Sequence, residues 1–427
     1  MISTLLIEKT LENTGYFRKL KPALMGKVVI DSRNAEPGDL FVAFRGENVD
    51  AHEFVPELLR RGVWCAGTEN IKGENYIKIG DQINFLLSLA ENMEISSSIK
   101  TFAITGSNGK TSTRELLSSL IKMNGYVVHS SEKNYNNCIG LPLSLLNRPL
   151  NCDMQVIEIG MNHKGEIEEL VKIASPDYTV ITNIGTAHIG NLGSEQAVAE
   201  AKLELFRYSG DASVVARMDD SYISRWVESE GGNRDVYPYE ISFDKSVYPD
   251  SVQDFMYENY LTARACVRAS GLKDTFSVEK VFSSAFIPEL RGDVRVFGKR
   301  EIHLDCYNAN FDSMKRSIND FVRRYSGKNR KLYLVLGEMK ELGKFSEKFH
   351  IELVKFVKKL NIVSGAFFIG NEFEKPKHLF PLNDALIFVR EITDFVSKMP
   401  SEGVFLVKGS RGNRLENILN LIESREA

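Results

Sequence analysis

Thr105-Gly106-Ser107-Asn108-Gly109-Lys110-Thr111 gathers glycines, hydroxyls and one lysine into seven residues. That combination suits phosphate. Glycines let backbone N–H groups approach phosphate oxygens without a Cβ in the way. A following helix N-terminus adds partial positive charge, Lys110 can reach terminal phosphates, and the Thr111 hydroxyl can sit on an accompanying magnesium ion. Only the shorter G-x-x-G-K-T form is present, because the first glycine of the longer G-x-x-x-x-G-K-[ST] pattern would fall on Ile104. A chance strand-turn-helix with a surface lysine is the alternative reading.

The flanking pattern places this turn between a strand and a helix. Phe102, Ala103 and Ile104 end an apolar run, while Leu116, Leu117, Leu120 and Ile121 recur at helical spacing until Gly125. Further along, Glu158 interrupts the apolar run Gln155-Val156-Ile157-Glu158-Ile159-Gly160. A carboxylate there needs a cation or donors if buried, and a magnesium ion held by Thr111 and phosphate would serve; a solvent-facing strand residue is the alternative. His188, in the turn Gly185-Thr186-Ala187-His188, could ligate a cation or bond a phosphate, although a lone loop histidine is more often solvated. Lys202, taken alone, reads as a solvated helix residue. Asp31-Ser32-Arg33 follows a short apolar run and could contact a polar ligand, or form a surface turn with its own ion pair. Lys408-Gly409-Ser410-Arg411-Gly412 is either an anion-binding strand-to-helix turn or a plain surface turn.

The elements that must position these residues alternate. Apolar runs at 155–160, 178–183 and 213–216 are separated by helical stretches around 166–174 and 194–208, and a second alternating set has strands at 332–337, 366–370, 385–389 and 404–408. Alternation of this kind implies parallel sheets covered by helices, with ligands beyond the carboxyl ends of the strands. Between Asp220 and Asn259 the signal fades into polar sequence, and a helix resumes near Asn259 and stops at Gly271. At ~150 residues per domain, 427 residues imply two to four domains. The expected division is a small mixed α/β domain over 1–97, a central parallel-sheet domain over 98–290 that carries the phosphate turn, and a C-terminal Rossmann-like α/β domain over 291–427.

A net charge of -3 gives no reason to expect nucleic-acid or membrane-surface binding. No segment approaches the ~20 apolar residues that span a bilayer. The five cysteines have no metal-ligand spacing, so a reduced, cytoplasmic setting is expected.

In combination, these motifs resemble the Mur ligases, ATP-dependent amide-forming enzymes of peptidoglycan precursor synthesis. The resemblance rests on the phosphate loop; Asn136-Asn137-Cys138-Ile139-Gly140-Leu141-Pro142; Glu158 to Ile167; Asn183-Ile184-Gly185-Thr186-Ala187-His188; Tyr307-Asn308-Ala309-Asn310-Phe311-Asp312-Ser313-Met314; residues 336–343; and Lys408-Gly409-Ser410-Arg411. Within the family it is similar to the branch that adds D-alanyl-D-alanine to UDP-N-acetylmuramoyl-tripeptide; a tripeptide-forming or folylpolyglutamate synthase-like relative, or a catalytically weak nucleotide-binding one, is the alternative. The resemblance implies ATP and two magnesium ions, with Thr105 to Thr111 at the phosphates and Asn137 among the residues that bind the cofactor. It also implies Thr111, Glu158, His188 and a carbamylated Lys202 at the metals, and Lys110, Glu158, His188 and Lys202 as catalytic. Asn259, Asp305 and Asn308 would contact nucleotide. Asp31, Ser32, Arg33, Lys408, Ser410 and Arg411 would contact substrate, and the enzyme would act as a monomer. Three features depart from the family pattern: the central ATP-binding domain is shortened around 221–254, with Phe255-Met256 in place of His-Asn; Phe311 replaces a proline; and Arg291 or Arg295 replaces the arginine that opens the third domain.

Overall fold

Short β-branched and aromatic runs, many of them followed by a helix, fold into successive sheets along the chain. The computed structural model describes residues 2–12, 14–93, 99–132, 134–243, 252–286, 289–360, 362–380 and 385–426. The expected boundary at 97/98 and Pro288 lie outside the described residues.

The first domain begins with an antiparallel pair, β1 (Ile2–Ser3) and β2 (Leu24–Met25). A parallel four-stranded sheet follows in chain order, β3 (Val28–Val29), β4 (Leu40–Val42), β5 (Trp64–Gly67) and β6 (Tyr76–Lys78).

The central domain is a parallel six-stranded sheet of β7 (Lys100–Thr105), β8 (Val128–Ser130), β9 (Met154–Glu158), β10 (Tyr178–Ile181), β11 (Ser213–Arg217) and β12 (Val236–Tyr239). Its spatial order is β12-β11-β10-β7-β9-β8. The chain leaves β7 to one side for β8 and β9, then crosses to the other for β10, so β7 lies at the switch point where a ligand crevice opens. The register sets Glu158 beside Ile104 and Ile181 beside Thr105, which brings three strand ends together.

The third domain orders its strands β13-β14-β18-β15-β16-β17: β13 (Asp293–Phe297), β14 (Lys299–Asp305), β15 (Leu332–Gly337), β16 (Gly365–Ile369), β17 (Leu386–Val389) and β18 (Glu402–Lys408). All pairs are parallel except β13 with β14.

Three stretches differ from the sequence expectation. After Asp220 the polar segment forms the helix Ser221–Ser229 and then β12, because Ile223 and Trp226, three apart, bury one face, and Trp226 packs on Phe206 at 4.9 Å. The helix expected from Asn259 starts at Asp254. Beyond Lys408 the chain makes two short 3-10 turns, Arg411–Asn413 and Leu415–Asn417, before the helix Ile418–Glu426. The left-handed Arg414 (φ 49°) interrupts what would otherwise be one helix.

Candidate active site

The phosphate loop is shaped by its neighbour strand. β7 ends at Thr105, and the helix Lys110–Met123 begins behind Gly109, which has φ 83° and no side-chain cap. Gly109 must be glycine on two counts: that φ, and an Asn259 Oδ1 standing where a Cβ would go. The loop following β10 holds the turn: the Ser107 N–H donates to Asn183 O (2.9 Å), the Asn108 N–H to Asn183 Oδ1 (3.1 Å), and Thr182 Oγ1 to Asn108 O (2.5 Å). Lys110 Nζ folds back onto Gly106 O at 2.7 Å, and burial pushes its amine below the usual lysine range. The Thr105 hydroxyl is buried without a hydrogen-bond partner among the described residues.

Glu158 is only 3% exposed, which excludes the solvent-facing alternative. Its carboxylate accepts from Thr111 Oγ1 (2.8 Å) and Asn136 Nδ2 (2.8 Å), with Arg114 Nη1 at 3.7 Å. These donors compensate the burial. His188 is left-handed (φ 62°), and burial, with Lys110 and Lys202 nearby, pushes its imidazole down to about 3. Glu341 Oε2 lies 3.1 Å from His188 Nδ1, but not in hydrogen-bonding orientation, so the nitrogen has no hydrogen-bond partner among the described residues. Lys202 is 1% exposed on the helix Glu195–Arg207, which corrects the solvated reading. It makes no hydrogen bond or ion pair among the described residues, and burial, with Lys110 adding repulsion, pushes its pKa well below the lysine range.

A cavity of about 380 Å³ opens over Lys110, Glu158 and His188, lined by both the central and third domains, while Thr105, Gly106 and Lys202 do not line it. Residues 107–111, Asn137, Glu158, His188, Asn259, Asp305, Asn308 and Lys408 all line it. Asn137 Oδ1 accepts from the N–H groups of Ile139 and Gly140, opening the helix Gly140–Leu146. Asn259 Oδ1 lies 3.5 Å from Thr113 Oγ1. Lys408 Nζ pairs with Asp305 Oδ2 at 2.7 Å, and Asn308 Oδ1 accepts from the Ala309 N–H.

Five of the expected substrate residues, and Arg295, lie apart from this cavity. Ser410 is spent inside the third domain on Ala309 O (3.2 Å) and the Lys340 N–H (2.9 Å), and Arg411 pairs with Glu416 at 2.6 Å. Asp31, Ser32 and Arg33 form a turn in the first domain, where the Arg33 guanidinium (2.6 Å) holds the Asp31 carboxyl down at about 2. Between the two arginines, Arg291 is the one at the site: it lies over Tyr307 at 4.4 Å and donates to Thr111 Oγ1 at 3.1 Å, whereas Arg295 is exposed on β13. Phe255 lines the cavity in the departing Phe-Met pair, and Phe311 meets Phe349 at 5.1 Å. Sequence reasoning missed Glu341 and Arg316, which also line the cavity. Glu341 sat inside a quoted motif, but nothing in the one-dimensional pattern marked Arg316.

The groups present fit a magnesium nucleotide. Thr111 and Glu158 supply hard oxygens, and His188, lining the same cavity, has a nitrogen without a hydrogen-bond partner among the described residues. Among the described residues no group of three or more His, Cys, Asp or Glu side chains could hold a metal by itself. Magnesium does not need one, since it takes one or two carboxylates together with phosphates and water.

Residues 104–266 match the Mur ligase middle domain family. The UDP-N-acetylmuramoyl-tripeptide–D-alanyl-D-alanine ligase of Bacillus subtilis is 31% identical, covering 98% of this chain and 97% of the relative. The MurF ligase of Thermotoga maritima, solved in complex with ADP, superposes with a TM-score of 0.81 at 26% identity, over 94% of this chain and 97% of that one. MurF from Acinetobacter baumannii has the same fold, with a TM-score of 0.83 at 23% identity over 98% of both chains. With its phosphate loop, buried carboxylate and buried lysine in place, this chain belongs to the Mur ligase family, in its UDP-N-acetylmuramoyl-tripeptide–D-alanyl-D-alanine ligase branch.

Proposed function

We propose that this chain uses ATP to join D-alanyl-D-alanine to UDP-N-acetylmuramoyl-tripeptide by an amide bond, a step of peptidoglycan precursor synthesis. The observation that carries the reading is 31% identity to such a ligase over 98% of the chain. The chain acts as a monomer in the cytoplasm, a setting that its free cysteines suit.

A carboxylate is a poor electrophile and must be activated. The tripeptide's terminal carboxylate attacks the γ-phosphorus of ATP, ADP leaves, and an acyl phosphate results. The dipeptide's amine then attacks the acyl carbon, loses a proton, and inorganic phosphate departs. Magnesium supplies charge neutralisation between the carboxylate and the phosphates. The loop from Thr105 to Lys110 cradles the phosphates, with the Lys110 amine leaving Gly106 O for a phosphate oxygen. Thr111, Glu158 and His188 would hold magnesium. Lys202, buried and without an ion-pair partner among the described residues, has an amine held toward its neutral form, the form that adds CO₂ and releases a proton. The resulting carbamate is an anion able to hold a second ion. Asn137 lies beside the phosphates, and Asn259, Asp305 and Asn308 take the nucleotide side. Lys408 faces the substrate, with Ser410 and Arg411 shaping the turn behind it, and Asp31, Ser32 and Arg33 serve the UDP end. Docking of the third domain excludes water from the acyl phosphate.

The test is phosphate release with ATP, magnesium and a set of UDP-N-acetylmuramoyl-tripeptides, comparing D-Ala-D-Ala with single amino acids and glutamate. Release that depends on D-Ala-D-Ala, and falls about a hundredfold or more in Lys110→Ala, is expected. Turnover with glutamate or another amino acid and none with D-Ala-D-Ala would show a different ligase.

A further inference from the structure

The loop that carries His188 is gripped by the third domain at both ends. At one end, Asp312, in the first turn of the helix Phe311–Tyr325, accepts the Thr186 N–H (2.7 Å) and the Thr186 hydroxyl (2.8 Å) on a single oxygen, Oδ2. At the other end, the Gly190 N–H donates to Glu341 O at 3.1 Å, and a Cβ at Gly190 would collide with the backbone of residues 341–343. His188 lies between these joints at φ 62°, facing Glu341 at φ 65°. Non-glycine residues keep such a conformation only where the surroundings over-determine it. Here the surroundings come from two domains.

The same turn of the third domain also reaches the phosphate loop. Asn310, which caps the helix containing Asp312, donates from Nδ2 to Asn108 Oδ1 at 2.8 Å, and Asn108 Nδ2 lies 3.5 Å from Asn310 Oδ1. Asn310 and Asp312, two positions apart at one helix start, therefore hold the two loops that meet over the site.

We infer that Asp312 and Thr186 form a closure joint, positioning residues that set the His188 loop in its reactive arrangement when the third domain is docked. This rests on the ligase reading above. The physical advantage is timing. A site assembled while open would expose ATP and the acyl phosphate to water, whereas a histidine loop set by docking confines phosphoryl transfer to the closed, drier state. Thr186 is 3% exposed in the docked state, so loss of Asp312 leaves its N–H and hydroxyl without their shared acceptor.

The joint is tested in the full chain with Asp312→Ala, Thr186→Val, the double variant and Thr186→Ser. Asp312→Ala is expected to lower kcat for D-Ala-D-Ala-dependent phosphate release about tenfold, or about 1.4 kcal/mol, while the KM for ATP moves less than about threefold. Thr186→Ser keeps both donors and should retain most of the activity. The double variant should be no worse than the more impaired single one, because one joint is being removed. Unchanged kcat in Asp312→Ala, or losses that multiply in the double variant, would overturn the inference. Small-angle scattering with ADP and magnesium should show Asp312→Ala more expanded than wild type, and equal radii would also overturn it. If the wild-type chain shows no D-Ala-D-Ala-dependent release, the ligase reading fails, and the scattering comparison still decides the joint.

Discussion

Lys202 shows how far a single residue can differ from its local appearance. On its helix it resembles any solvated lysine, but it is 1% exposed, and Lys110 adds to its repulsion. A buried, unpaired ammonium is costly, and both neutralisation and carbamylation relieve that cost. Lys202→Ala is therefore expected to be nearly inactive. Wild-type enzyme stripped of CO₂ should lose activity and regain it on adding bicarbonate, as measured by phosphate release. Bicarbonate-independent activity after stripping would count against the carbamate. Residue types and spacing were enough to single out Lys110, Thr111 and Glu158. Lys202 became a candidate only through the family resemblance, because burial is a property of packing.

At the scale of elements, the turn from β7 into the helix Lys110–Met123 depends on a close approach from another helix. Asn259 of Asp254–Ala269 occupies the space a side chain at position 109 would need. Gly109→Ala should therefore weaken ATP binding about tenfold or more, measured by calorimetry, through steric displacement of the loop and strain at positive φ. Buried histidines give the elements a pH dependence. His350, in the helix Ser346–Lys358, donates from Nδ1 to Ser346 O (2.7 Å) and accepts the Met339 N–H at Nε2 (3.1 Å), an arrangement only the neutral ring can make. Burial lowers the pKa of His129, His188, His303 and His350 from 6.5. Below that value the unfolded chain binds more protons than the folded one, so stability is lost as the pH falls. The urea midpoint is expected to drop between about pH 7 and pH 5, and His350→Gln should flatten that dependence.

At the scale of the whole molecule, the active site is made by docking. Arg316 of the third domain reaches Glu258 at 2.8 Å, Glu258 also pairs with Arg217 at 3.3 Å, and Arg323 pairs with Asp254. The Arg316 and Glu258 side chains are 33% and 13% exposed, so their pair is worth about 0.2–1 kcal/mol and is screened by salt. Arg316→Ala should shift the docking equilibrium up to about fivefold toward the open form. Limited proteolysis should then release the third domain faster, with ADP and magnesium restoring protection. An unchanged cleavage rate would mean that the ion pair contributes nothing to docking.

By itself the sequence determined the local parts: alternating strands and helices, the phosphate turn after β7, the carboxylate at the end of β9. Each is written in a short window of periodicity, glycine placement and residue type. The helix Ser221–Ser229 and β12 were illegible because their apolar stripe is narrow in a polar segment, and only packing against Phe206 makes it a face. Tertiary structure alone decided which residues share the cavity. It brought Arg291, Arg316 and Glu341 to the central domain's loops and turned Ser410 and Arg411 to other partners. Which third-domain residues reach the central loops depends on how the two domains dock, and contacts such as Arg291 with Thr111 and Asn310 with Asn108, 180 and 202 positions apart, leave no periodic trace in one dimension.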